Sequence, residues 1–240
     1  MPWWQGASVR TARLTEFEWM FDLIHSDRAV RQAAIDRQRA YDEEWSRHND
    51  RSNDIYFRAG RTFAPKDPVL RAELDRTWAA RREVGDKMVL APILHYVSGG
   101  PDSRDRDPWA RHAVLYLVWE TRFPAEWAAV SKGWHTKKHI LRVLAQRGPT
   151  PDTHADLVGL LAAAVTRSHR CEDGGYARLA RRLDRPSVVD IVTAGEQADG
   201  EHVRLRAGYV RWVVDHPHRP VTLASWRAWL QENRTTTRLS

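Results

Sequence analysis

The chain has 240 residues and a mass of 27.8 kDa, 42% of them hydrophobic and 29% charged, which excludes disorder as its main state and is enough for a full core without disulfides or metals. No apolar run approaches the roughly 18 residues of a membrane span, and the opening Met1-Pro-Trp-Trp-Gln-Gly-Ala-Ser8 lacks the basic and apolar regions of a secretory signal. The formal net charge is +7, and residues 51–150 carry all of it while the flanks cancel.

Helix signals dominate in chain order. Thr15 begins a short amphipathic helix bearing Phe17, Trp19, Met20, Phe21, Leu23 and Ile24. Ser26 or Asp27 caps a second helix running toward Trp45, with Val30, Ala34, Tyr41 and Trp45 on one face. Residues 46–66 are polar apart from Ile55-Tyr56-Phe57 and read as a long loop, a feature that is often functional. Asp67-Pro68 opens a third helix by the cap-then-proline rule, with Val69, Leu70, Leu74, Trp78 and Val84 inward. Asp86 opens another, Met88 to Val97, kinked at Pro92 and stopped by Ser98-Gly-Gly-Pro101.

Asp107-Pro108 repeats the start signal, and Ala113-Val-Leu-Tyr-Leu-Val-Trp119 is apolar on every side, which places that helix in mid-core. Pro124 starts the next helix, Gly133 breaks it, and Thr136 restarts it as far as Gly148. Gly148-Pro-Thr-Pro151 is the strongest punctuation and predicts a boundary between lobes 1–147 and 151–240. Five helical patterns follow, Asp152–His169, Tyr176–Leu183, Ser187–Ala194, Glu201–Val214 and Thr222–Asn233, separated by Gly174-Gly175, Pro186, Gly195, Gly200 and Pro217. The fold expected is all-α, an irregular bundle or repeat array of about ten to twelve helices.

Cys171 is the only cysteine, which rules out an intramolecular disulfide and a multi-cysteine zinc site and fits a reducing cytoplasm, the compartment expected here. Acidic neighbours Glu172 and Asp173 make it a poor nucleophile. Of the 12 tryptophans, Trp3, Trp4 and Trp134 lie in polar or loop contexts and are candidates for a contact surface, whereas the other nine sit inside helical patterns.

Three of the five lysines fall in Lys132-Gly-Trp-His-Thr-Lys-Lys-His139. With Thr136 as cap, Lys137 and Lys138 occupy a first helical turn, where the macrodipole disfavours cations unless an anion binds there. Lys132, Trp134, His135, Lys137, Lys138, His139 and, one turn on, Arg142 are therefore the candidate nucleic-acid contacts, Trp134 stacking beside a phosphate held by the lysines. The alternative is that the lysines are solvated and Trp134 packs beneath them. His135 and His139 have the i, i+4 spacing of a metal pair, but no third ligand is indicated, so no metal is expected there or at His216-Pro-His218. Asp102, Asp105 and Asp107 alternate with Arg104 and Arg106 and read as a charged loop.

Asp27–Ile35, Asp107–Leu115 and Glu201–Tyr209 each combine an acidic start, an arginine and small residues, a pattern that resembles helix-pair repeats of the HEAT type and implies closely stacked helices. Leu179-Ala-Arg-Arg-Leu183, a turn and Ser187-Val-Val resemble a bacterial-regulator helix-turn-helix, in which Ser187 would cap the recognition helix. Asp184 stands where that turn usually has glycine, and two ordinary packed helices fit as well. A basic, tryptophan-rich helical chain is also similar to the alkylpurine DNA glycosylases built from HEAT-like repeats, although Trp3-Trp4-Gln5 does not reproduce their tryptophan and aspartate site. No phosphate-binding glycine loop or hydrolase motif is present. The sequence leads to a non-catalytic nucleic-acid-binding protein without cofactor or membrane span; the alternatives are a scaffold for a protein partner and a glycosylase.

Overall fold

The computed structural model describes residues 14–98, 108–131 and 133–237, with side chains as far as Asn233. Among the described residues there is no strand, and the all-α expectation holds. A 3-10 helix, Leu14–Ile24, precedes eleven α-helices: α1 (Arg28–Arg58), α2 (Pro68–Gly85), α3 (Leu90–Ser98), α4 (Ala110–Arg122), α5 (Pro124–Val130), α6 (Trp134–Arg147), α7 (His154–Thr166), α8 (Gly174–Leu179), α9 (Arg185–Glu196), α10 (Glu201–Asp215) and α11 (Leu223–Thr237). No described helix is long and apolar enough to cross a membrane.

The apolar run forms α4 and lies at the centre, with every residue from Ala110 to Glu120 buried except Arg111. The opening 3-10 helix, α3, α5, α6 and α7 surround it. Asp27 and Asp67 act as the caps read from sequence, each carboxylate accepting the backbone N–H two residues on at 2.8 Å. The three look-alike segments belong to the starts of α1, α4 and α10, although Asp107 itself lies outside the described residues. One continuous set of buried apolar side chains runs from Phe17 to Trp229, so the core passes uninterrupted across Gly148–Pro151.

Several local expectations are corrected. Residues 46–58 are not a loop but the second half of the 31-residue α1. They pair with α2 through Ser52, Ile55, Leu74, Thr77 and Val84, all buried. Pro92 sits in the first turn of α3, where the missing N–H has no intrahelical partner to lose, and so it starts the helix rather than kinking it. Gly195 lies inside α9. A Cβ there would come 2.7 Å from the Ala207 Cβ, so glycine permits the close approach of α9 and α10. Asp184, not Ser187, caps α9, its carboxylate accepting the Ser187 N–H at 2.8 Å.

Candidate nucleic-acid interface

α6 begins at Trp134 with Gly133 as its cap, two residues before the start read at Thr136. Glycine is required at this cap on steric grounds: a Cβ on Gly133 would lie 2.2 Å from the Tyr116 hydroxyl, which hydrogen-bonds Ser131 at 2.6 Å. This start turns the candidate window in two directions. Trp134, His135, Lys138 and Arg142 are exposed, His139 is half-buried, and Lys132 lies outside the described residues, as do Trp3, Trp4, Asp102, Asp105 and Asp107. The Trp134 ring rests edge-on against Trp127 at 4.9 Å. His135 and His139 face each other at 4.3 Å, and the Arg142 guanidinium donates to His139 Nδ1 at 3.1 Å. Burial, with His135, Arg142 and Lys138 nearby, lowers the His139 pKa and keeps the ring neutral.

Lys137 is the correction. Its side chain is fully buried, with Nζ 2.7 Å from Asp173 and 3.5 Å from Glu120, between the rings of Trp134 and Tyr176. A cation in the first helical turns is here offset by carboxylates inside the fold rather than by an external anion, and Lys137 is not available to a phosphate. Arg167 joins the same cluster through Asp173 at 2.6 Å and Glu120 at 3.3 Å, and Arg170 bonds Glu120 at 3.1 Å. Burial pushes the Asp173 carboxyl up, but hydrogen bonds from Arg167 and Lys137 prevail and hold it below the usual range. The cluster fastens α4, α6 and the turn before α8 together. Nothing in its sequence spacing announces it, because Asp173 stands 36 residues from Lys137.

The more open feature is a groove of about 490 Å³ between the C-terminal half of α6, α8 with its following turn, and the segment joining α10 to α11. Arg142, Arg178, Arg181 and Arg182 line it, with Gln146, Ala145, Pro217 and Val221. Backbone carbonyls hold three of these guanidiniums. Arg178 donates twice to Val221 O at 3.1 and 2.7 Å. Arg181 reaches Val213 O, His216 O and Arg219 O at 2.7–2.9 Å. Arg182 Nε reaches Ala145 O at 2.9 Å.

Ala145 and Val213 lie in the last turns of α6 and α10 and His216 caps α10, where cations are favoured, whereas Arg219 and Val221 belong to the segment that follows. Each arginine still keeps at least one guanidinium nitrogen uncommitted, and among the described residues none of the four takes a carboxylate partner. Burial draws the Arg181 pKa down from its ordinary value, without removing the charge.

Elsewhere Arg71, Arg204 and Arg206 likewise bond backbone carbonyls and, among the described residues, no carboxylate, whereas other arginines take carboxylate partners. Arg31 bonds Glu126, Arg51 and Arg58 share Glu73, Arg185 bonds Asp215, and Arg211 bonds Glu196. Of the described residues of the sequence window, Arg142 is the one that lines the groove. Arg178, Arg181 and Arg182 were legible only as parts of a turn-flanked helix. Among the described residues no three His, Cys, Asp or Glu side chains converge as a metal site. Comparisons with protein-family models, curated proteins and solved structures return no match.

Proposed function

We propose that this chain binds the sugar-phosphate backbone of nucleic acid in the arginine-lined groove. The observation that carries the reading is the set of four guanidiniums, Arg142, Arg178, Arg181 and Arg182, gathered around one groove with no carboxylate among its lining residues. A planar guanidinium presents paired N–H donors that match a phosphate, and fixing it on backbone carbonyls beforehand lowers the ordering cost of binding. Lys138, exposed one turn before Arg142 on α6, extends the positive stripe. Such contacts position a strand without reading its bases. The role is binding rather than catalysis, because guanidiniums stay protonated and move no protons near neutral pH.

The test is a salt titration of binding to labelled duplex, comparing the wild type with Arg142→Gln plus Arg182→Gln. These two arginines commit the fewest donors to the fold, one each. The double variant is expected to melt near the wild type, to bind more weakly, and to lower the steepness of log affinity against log salt by up to about 1.8, at about 0.9 per lost phosphate contact. Absence of wild-type binding at low salt, or an unchanged slope, overturns the proposal.

A further inference from the structure

The second half of α1 and α2 form an arm with its own buried seam, since Ile55, Leu74 and Val84 are buried yet stand apart from the main core. The arm ends in an ordered turn. Gly60 takes a positive φ of 76°, the Arg61 N–H donates to Tyr56 O at 2.8 Å, and the Gly60 N–H donates to Phe57 O at 3.1 Å, closing the C-terminus of α1. On the far side, Arg71 donates twice to Pro65 O, at 3.1 and 2.9 Å, next to the Asp67 cap.

A series of rings fills this turn. Phe57 meets Tyr56 at 5.4 Å, Tyr56 meets Phe63 at 4.5 Å, and Phe63 meets Trp78 at 5.9 Å. The series is held in place from within, yet two of its members are open: Phe57, at one end, is 62% exposed and Phe63, between Tyr56 and Trp78, 48%. Arg61 and Lys66, in the same turn, are exposed, and neither takes a carboxylate partner among the described residues. Tyr56, Phe57 and Phe63 are thus rings fixed by one another beside unpaired cations.

We infer that the tip of the arm is a second nucleic-acid contact, specific for unpaired bases: Phe57 and Phe63 stack on base faces while Arg61 and Lys66 take the flanking phosphates. This rests on the nucleic-acid reading of the groove and adds a preference for single strands. Charge decides against the other occupants. A second copy would set Arg61 and Lys66 against themselves, and a lipid surface calls for a long apolar helical face, which the polar α1 and α2 lack.

The experiment measures anisotropy of a labelled oligothymidylate and of a duplex of equal length against the full chain. Phe57→Ala is expected to weaken oligothymidylate binding roughly five- to a hundredfold, the range for loss of one stacked base, and to leave duplex binding nearly unchanged. Phe57→Trp should restore it, and Arg61→Ala with Lys66→Ala should weaken single-strand binding and flatten its salt dependence. Wild-type binding that Phe57→Ala leaves unaltered overturns the tip assignment and spares the groove. Loss of a concentration-dependent dimer in the Phe57→Ala sedimentation profile, or loss of binding to anionic vesicles with oligothymidylate binding intact, also overturns it in favour of a second copy or a lipid surface. A wild type that binds neither strand form removes the groove reading and the tip with it.

Discussion

Lys137→Met withdraws one ammonium from the closed cluster and keeps most of the side-chain volume. In the wild type Lys137, Arg167 and Arg170 face Glu120 and Asp173, an excess of one cation. After the substitution Arg167 and Arg170 still match the two carboxylates, so the loss is chiefly the 2.7 Å bond from Nζ to Asp173. A hydrogen bond to a charged group contributes about 1.5–3 kcal/mol. Asp173→Asn is the harsher change, because it leaves three cations to one carboxylate, and breaking a buried pair from one side costs about 3–5 kcal/mol. Lys138→Ala, at an exposed position one residue away, should stay within about 0.5 kcal/mol.

At about 2–4 °C per kcal/mol for a chain of this size, thermal melts should fall in the order Lys138→Ala, Lys137→Met, Asp173→Asn, each lower than the one before. The pH dependence follows from the lowered Asp173 pKa. Its stabilisation is present above the unfolded value of 3.8 and is lost as pH falls through the lower folded value, so the Lys137→Met deficit should persist to about pH 4 and shrink below it. A Lys137→Met protein that melts with the wild type refutes the burial argument.

Two further outcomes test other parts of the interior. His112 has both ring nitrogens buried without a partner among Phe17, Phe21 and Trp109, and burial, with Arg111 adding, lowers its pKa to about 4. The unfolded chain then binds the extra proton between about pH 6.5 and 4, so the wild type should lose about 2 kcal/mol from this residue between pH 7 and 5, and His112→Phe should remove that part of the decline in urea midpoints. Gly133→Ala should destabilise by about 1–3 kcal/mol through the clash with the Tyr116 hydroxyl. Tyr116→Phe should recover part of that cost in a double-mutant cycle, whereas strict additivity would point to the backbone angles of the cap instead.

What sequence could convey depended on whether the deciding partner was local. The α4 run and the Asp-Pro start of α2 carry their own instructions, and both were legible. The second half of α1 was not, because the residues that follow Trp45 at a three-and-four spacing, His48, Ser52 and Ile55, are mostly polar, and only Ser52 and Ile55 are buried. Gln38, in the first half of the helix, is buried with its side-chain oxygen accepting the Val89 N–H at 2.8 Å, a partner 51 residues away. Gly60, which closes the helix, was the local signal that could have set its end. Lys137 shows the same limit at the site: its spacing told of a cation near a helix start, and only the fold reveals the carboxylates that receive it.

The charge count over sequence windows does not single out the arginines of the groove, for a related reason. Residues 151–200 sum to −2, which hides Arg178, Arg181 and Arg182 among eight acids, none of which lines the groove. Asp173 lies in the buried cluster, Asp184 caps α9 and bonds His154 at 2.6 Å, and Glu196 bonds Arg211 at 2.7 Å. With no carboxylate among the lining residues, the three arginines stand with Arg142 around the groove. Lysine could not fill the same places. Its single nitrogen, given to a carbonyl, would have its charge centre held at that one point, whereas a guanidinium can bond a carbonyl through one edge and still present N–H groups from another. The carbonyls of Ala145, Val213, His216, Arg219 and Val221 thereby fix the guanidiniums that line the groove.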